Sequence, residues 1–162
     1  MREMWRTIFV EPNETPYMNK KCTVYVSKPK ECKKTFNAEV LDDVDGEIIY
    51  GVGSTAREAI ADMQVMVQEI NQSRAIDGKE PLELSFDYRF DMTALFSFYS
   101  YLNITEVARR MGVNPGLMRR YASGESTPSS KRMHDIEGCL KGLADELANV
   151  CLLANQFKPH FA

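Results

Sequence analysis

Residues 103–128, NITEVARRMGVNPGLMRRYASGESTP, decide the fold of the second half of this chain. Asn103 and Asn114 are good helix N-caps, because an asparagine side chain accepts the backbone N–H groups that the first turn leaves unpaired. Pro115 suits the first position of a helix, where its missing N–H costs nothing, and Gly112 ends the preceding helix. Two short helices joined by a tight glycine turn, followed by a third capped helix, are typical of a helix-turn-helix unit. The pattern therefore makes DNA the first partner to consider.

In the second helix of this unit, Leu117 and Tyr121 are predicted to pack inward, while the opposite side of the helix is exposed to solvent. In a bound complex, side chains near its start would reach base edges, whereas backbone amides and basic side chains would hold phosphates. We expect Arg119 and Arg120 to read bases and the other basic residues to contact the DNA backbone. The predicted DNA-binding residues are Asn114, Gly116, Met118, Arg119, Arg120, Arg109, Arg110, Lys131 and Arg132. The alternative is a helical bundle whose arginines form a solvated face.

The charge of the chain is distributed unevenly. Its 162 residues are 44% hydrophobic and 27% charged, which is typical of a globular protein with one core or two small ones. Residues 1–90 carry 12 basic and 16 acidic side chains, whereas residues 103–142 carry seven basic and four acidic ones, a local net charge of +3. We therefore expect DNA affinity to come from a local patch and to fall steeply with salt.

Membrane and metal-binding classes are not favoured by the sequence. No apolar run approaches the roughly 20 residues that span a bilayer, and the N-terminus lacks the apolar core of a signal peptide, so a cytoplasmic location is expected. Cys22, Cys32, Cys139 and Cys151 have no close CxxC pairing, and the chain has only two histidines to assist them. We expect reduced, partly buried cysteines, no zinc site and no cofactor.

The first half alternates apolar and polar residues in a way that predicts four strands, with a helix between the third and the fourth. Asp45-Gly46 predicts a two-residue hairpin turn, so the first three strands form an antiparallel meander. Thr55 and Glu58 form a capping box at the start of the helix, which covers one face of the sheet. The strands are predicted at Thr23–Ser27, Thr35–Leu41, Glu47–Val52 and Leu82–Phe90, and the apolar helix face comprises Ala59, Ile60, Met63, Met66, Val67 and Ile70.

Several carboxylates in this half raise an enzymatic alternative. Clustered carboxylates could hold divalent metal ions that stabilise the attacking and leaving oxygens in a nuclease. Each also has a structural explanation as a turn, flanking, helix-capping or exposed helix residue, and residues 51–53, GVG, lack the spacing and lysine of a P-loop. The residues concerned are Asp42, Asp43, Asp45, Glu58 and Asp62. A non-enzymatic protein is therefore expected, and a nuclease requires these carboxylates to converge.

Two stretches of the chain resemble the HicB-type antitoxins: GEIIYGVGSTAREAI at 46–60 and LELSFDYRFDMTALFSFYSYLNITEVARRMGVNPGLMRRYASGESTP at 82–128. The resemblance implies an α+β protein with a degenerate RNase-H-like βββαβ domain followed by an all-α helix-turn-helix DNA-binding domain. It also implies that the first domain binds and neutralises a HicA-like mRNA-cleaving toxin, and that the second represses the shared operon. The matching residues are Gly46, Gly53, Thr55, Glu58, Ala59, Ala108, Gly112, Asn114, Pro115, Leu117, Arg120, Tyr121, Gly124 and Pro128.

One departure from the family concerns the loop after the second strand, which reads LDDVDG at 41–46 and lacks the proline of the usual aspartate-proline-glycine loop. Some HicB-like proteins act as regulators without an adjacent toxin. The alternative function is therefore a solitary DNA-binding transcriptional regulator, whose first domain binds a ligand or another protein.

The predicted organisation has three parts: a flexible extension at 1–19, a toxin-binding domain at 20–90, and a DNA-binding and dimerisation domain at 91–162. After Thr127-Pro128, apolar residues recur with heptad spacing. They are Met133, Ile136, Leu140, Leu143, Leu147, Val150 and Ala154. This stripe closes the helical domain, forms a dimer seam, or does both with its early half intramolecular and its late half shared. A homodimer or higher oligomer is expected, because palindromic operators are read by two-fold symmetric proteins.

Overall fold

The computed structural model describes residues 19–31 and 34–152, which form a four-stranded sheet and five helices. The elements are β1 (Lys20–Ser27), β2 (Phe36–Val40), β3 (Tyr50–Gly53), α1 (Ala56–Ile76), β4 (Leu84–Phe90), α2 (Met92–Phe98), α3 (Ile104–Arg110), α4 (Pro115–Ser123) and α5 (Ser130–Ala148). The mixed α+β class and the βββαβ order of the first half are confirmed. The expectations for residues 1–18, for Cys32 and for Ala154 lie outside the described residues.

The sheet has the strand order β3-β2-β1-β4. β1 pairs with β2 and β2 with β3 in antiparallel fashion, which confirms the predicted meander, while β4 runs parallel to β1. At the hairpin, Asp45 and Gly46 have φ values of 52° and 77°, and Val44 and Glu47 form a bridge on either side of them. Positive φ at both central residues is what the favoured two-residue hairpin turn requires.

Helix α1 lies against one face of the sheet and begins at the predicted capping box. The Glu58 N–H donates to Thr55 Oγ1 at 3.2 Å, and the Glu58 carboxylate accepts from the Ser54 N–H at 2.9 Å. The helix buries Ala56, Ala59, Ile60 and Met63, while the facing side of β1 buries Cys22, Val24 and Val26. These residues belong to the first of two hydrophobic cores.

The glycines of β3 allow α1 to approach the strand closely. A Cβ added at Gly51 would lie 2.7 Å from Met63 Cα and closer still to the Met63 nitrogen and the Ala59 carbonyl oxygen. A Cβ at Gly53 would lie 2.5 Å from the Ala59 nitrogen. Both contacts involve helix backbone, which cannot turn aside as a side chain can. The sequence pattern excluded a P-loop at these glycines but did not indicate this packing role.

Helix α2 contributes to both hydrophobic cores and was not predicted as a separate element. Asp91 caps it: its Oδ1 accepts from the Ala94 N–H at 2.7 Å, and its Oδ2 accepts from the Lys28 N–H at 2.8 Å. Ala94 packs in the first core, whereas Met92 and Phe96 pack in the second. One short helix therefore joins the sheet to the helices that follow it.

One of the cysteines is more exposed than the sequence analysis predicted. Cys22 is fully buried, Cys139 is half-buried, and Cys151 is exposed, so partial burial is wrong for Cys151. All three thiols are free. Across the ranges that the structure describes, no helix combines the length and the apolar character needed to cross a membrane.

Candidate nucleic-acid interface

The caps and turns predicted for the α3–α4 unit are present. Asn103 Oδ1 accepts from the N–H groups of Thr105 and Glu106 at 3.0 and 3.2 Å, and Asn114 Oδ1 accepts from Gly116 N–H at 2.7 Å. Gly112 between the helices has a φ of 64°. The third helix begins later than predicted, because Ser129 rather than Thr127 caps it, with its hydroxyl accepting from the Arg132 N–H.

Met118 lies in the core of the helical half and not on its outside. Its side chain has no exposed surface, and Tyr121, one turn later on the same side of α4, is also buried. They pack with Val107 and Ala108 of α3 and with Ile136 of α5. The expectation that Met118 remains available to DNA is therefore wrong. The cause is helical geometry, since residues three apart share one face and Tyr121 already faced inward.

The outward face of α4 is formed by Gly116, Arg119, Arg120 and Ser123, which lie opposite the buried pair on the helical wheel. Arg119 and Arg120 are both exposed. A Cβ added at Gly116 would lie 4.0 Å from Arg119 Nη2 and 3.0 Å from Asn114 Oδ1. Three of the predicted DNA-binding residues, Asn114, Gly116 and Arg119, are thus neighbours at the start of the helix.

Thr105 is a site residue that no sequence pattern indicated. Arg119 Nη1 donates to Thr105 Oγ1 at 3.2 Å, which joins the start of α3 to the outward face of α4. The spacing of 14 residues between the two gives no local signal. Only the packing of α3 against α4 brings this hydroxyl to the guanidinium.

Most arginines of the helical half are paired with carboxylates. The pairs are Arg109 with Glu106, Arg110 with Glu146, Arg120 with Glu125 and Arg132 with Asp135. Every partner in these pairs is more than a third exposed, so solvent screens each pair and the arginine can exchange its carboxylate for a phosphate. The hydrogen bond from Arg110 to Glu146 raises the pKa of the Arg110 guanidinium further.

The remaining predicted residues are dispersed around this face. Arg110 and Arg132 line a shallow groove between α3 and α5 together with Asp135 and Cys139. Lys131 is exposed in the first turn of α5, and Arg109 is exposed near the end of α3. These positions suit contacts to a DNA backbone more than contacts to base edges, because they lie off the outward face of α4.

A second candidate surface lies on the sheet, on the face that α1 does not cover. Tyr25, Tyr50 and Val52 point to this side and are 39%, 48% and 42% exposed. Continuing the β2–β3 register places Leu41 opposite Ile48, and these two are 59% and 79% exposed. We call these five residues the open sheet face. Burial, followed by the charge of Asp91, raises the pKa of the Tyr25 hydroxyl.

The carboxylates considered for metal binding are engaged one by one in backbone contacts or ion pairs. Asp42 accepts from Thr23 N–H, Asp43 from Gly46 N–H, and Asp62 from Val52 N–H. Asp45 pairs with Arg74 at 3.1 Å. Within residues 19–31 and 34–152, no three His, Cys, Asp or Glu side chains form a group that could hold a metal ion. The carboxylates do not converge, so this geometry gives a nuclease no support.

Together these observations leave two candidate surfaces, the outward face of α4 and the open sheet face. The first is basic and next to a helix N-terminus, whereas the second exposes five apolar side chains beside Glu39 and lies in the more acidic half of the chain. Searches of family models, curated proteins and solved structures find nothing that matches this chain.

Proposed function

We propose that this chain is a HicB-type antitoxin, a non-enzymatic cytoplasmic protein that neutralises a HicA-like mRNA-cleaving toxin and represses its own operon. The observation that carries the proposal is the capped α3–α4 unit, with Asn114, Gly116 and Arg119 gathered at the start of its second helix. In this proposal α3 and α4 form the helix-turn-helix, and the sheet with α1 forms the degenerate RNase-H-like domain. The residues that resemble the family support both assignments.

Double-stranded operator DNA is the partner proposed for α4. An α-helix fits the major groove, which is about 12 Å wide, and its first N–H groups attract phosphate oxygens. The surrounding segment carries the local excess of positive charge, and its surface ion pairs are weak enough to be exchanged. Phosphate contacts by several of these arginines would make binding strongly salt-dependent.

The open sheet face is the surface proposed for the toxin. Exposed apolar residues that lie together are typical of a protein-binding site, because leaving them in water is unfavourable. The first 90 residues have four more acidic than basic side chains, a balance that would attract a small basic toxin. The apolar face would supply the centre of the contact and the acidic surroundings its rim.

A homodimer is proposed through the end of α5. The early part of the apolar stripe packs inside the helical half: Ile136 is buried, and Met133 and Leu140 lie against the second core. The late part extends beyond that core, where Leu147 and Val150 are 59% and 58% exposed. If the ends of α5 from two copies packed against each other, the dimer would present two α4 helices, one for each half of a palindromic operator.

Co-expression with the protein encoded beside it tests the proposal. We expect the tagged chain to co-purify with that protein and to restore growth, and we expect it to bind its own upstream DNA. Ile48→Glu on the open sheet face should abolish rescue and retain DNA binding, since it places a charge in the apolar contact. Val65→Glu is the matched control, because Val65 is an exposed apolar residue on α1.

The outcomes separate the competing functions. DNA binding without a complex and without rescue would contradict the antitoxin assignment and leave a solitary transcriptional regulator. If the chain bound neither the DNA nor the neighbouring protein, the whole proposal would be refuted. Equal loss of rescue in Ile48→Glu and Val65→Glu would show that the open sheet face is not the toxin-binding surface.

A further inference from the structure

Arg119 differs from the other arginines of the helical half. Arg109, Arg110, Arg120 and Arg132 each lie within 4.0 Å of a carboxylate. In the part of the chain that the structure describes, no carboxylate lies this close to Arg119. Its partner is instead a neutral hydroxyl, Thr105 Oγ1, at 3.2 Å. The positive charge of Arg119 is therefore held in place without being neutralised.

The hydroxyl of Thr105 is suited to orient this guanidinium. A threonine side chain is stiff at χ1, and its oxygen here accepts one of the five N–H donors that an arginine carries. The other donors stay available, and two of them suffice for a bidentate contact with guanine O6 and N7. A guanidinium that this contact holds loses less side-chain entropy when it binds.

Gly116 keeps the surface beside Arg119 clear. The position that a Cβ would take at Gly116 is 4.0 Å from Arg119 Nη2, so a larger side chain there would stand next to the guanidinium. With glycine, the first turn of α4 can approach a base pair closely. The same residue donates its N–H to the capping Asn114 and so takes part in the start of the helix.

Arg120 lacks this arrangement although it is the next residue on the same face. Its Nε lies 4.0 Å from Glu125 Oε2, and both side chains are largely exposed. A carboxylate beside the guanidinium would also repel base acceptors and phosphates. To contact a phosphate, Arg120 would have to exchange this weak ion pair with Glu125. Such a contact adds affinity for DNA of any sequence.

We propose that Arg119 reads a guanine in the major groove, that Thr105 is the positioning residue that aims it, and that Arg120 contacts only phosphate. This inference rests on the proposed DNA binding. It assigns the specificity to one arginine of the two and to a hydroxyl on the preceding helix. The ligand is therefore a duplex with a guanine at one position in each half-site.

The inference can be tested by selecting duplexes from a random library with the full-length chain. Affinities are then measured for the selected duplex and for its single-base variants. We expect Arg119→Ala to lower the preference for guanine at one position by roughly 5- to 150-fold. Thr105→Val and Thr105→Ala should lower the same preference by roughly 2- to 10-fold, and Thr105→Ser should retain most of it. Arg120→Ala should weaken all sequences alike and reduce the salt slope by about 1.

The results distinguish this inference from the proposed function. If the wild-type chain selects no duplex, both are overturned. If it selects a duplex but Arg119→Ala keeps the guanine preference, or loses preference for a different base, DNA binding stands and the assignment to Arg119 fails. If both hydroxyl-free Thr105 variants melt at the wild-type temperature and keep the full preference, the positioning role of Thr105 is refuted.

Discussion

Substitution of Gly51 by alanine should separate α1 from the sheet. The added Cβ would lie 2.7 Å from Met63 Cα and nearer to two further backbone atoms of α1, whereas ordinary contact begins at 3.4 Å. The helix would have to move by roughly 1 Å, which forfeits about a quarter to a half of the dispersion attraction across the contact. We expect a loss of about 3 kcal/mol in the free energy of unfolding, the upper end for overpacking.

Urea denaturation followed by circular dichroism measures this loss. With a slope of about 2 kcal/mol per molar urea, the midpoint of Gly51→Ala should fall by roughly 1.5 M. Gly138→Ala is the matched control, because a Cβ added there meets nothing within 4 Å and the residue lies inside α5. It should raise stability by up to about 1 kcal/mol, as alanine is the better helix former.

A midpoint for Gly51→Ala within about 0.3 M of the wild type would refute the reasoning. It would mean that α1 and β3 do not lie as close as the structure places them, or that the helix moves without cost. A large loss in Gly138→Ala would instead show that the exposed side of α5 is packed against something, for which a second copy is the first candidate.

The pKa shifts and the exposure of single residues give three more predictions. Hydrogen bonds from Ser54 lower the pKa of the Glu58 carboxyl below its ordinary value of 4.5. The ionised carboxylate therefore stabilises the fold above pH 4.5, and this stabilisation is lost as the pH falls through the lowered pKa. The free energy of unfolding should fall more steeply with acid in the wild type than in Glu58→Gln, and equal curves would contradict this role of Glu58. Burial raises the pKa of the Cys22 thiol, so mass spectrometry should find Cys151 alkylated long before Cys22 in the native protein, and equal rates would refute the burial. Leu147→Glu should shift the protein from dimer to monomer in light scattering without lowering its melting temperature, whereas an unchanged dimer would exclude this end of α5 as the interface.

Helix caps and turns were predictable because they depend on residues close together in the chain. Asn103, Asn114 and Thr55 accept N–H groups two or three positions later, so the sequence alone contains both partners. The Asp45-Gly46 hairpin is of the same kind. The start of β3 was predicted too early, since residues 47–49 continue the alternation but lie next to the hairpin turn.

The candidate DNA-binding surface was only partly predictable. Periodicity identified α4 and the inward position of Tyr121, but how far the buried face extends around the helix depends on the elements that pack against it. Met118 was therefore placed outside, although it belongs to the second core together with residues of α2, α3 and α5. The contact between Thr105 and Arg119 spans two helices and leaves no periodic signal. The difference between Arg119 and Arg120 likewise depends on where Glu125 lies in space.

The sequence by itself determined the βββαβ order of the first half, the caps at Thr55, Asn103 and Asn114, the hairpin turn and the local excess of positive charge, because these depend on neighbouring residues and on composition. The tertiary structure decided that Met118 is buried, that α1 lies directly on Gly51 and Gly53, and that α2 belongs to both cores. It also decided which arginine is held by a hydroxyl in place of a carboxylate. These features arise where elements distant in the chain pack together, and burial there depends on both surfaces at once.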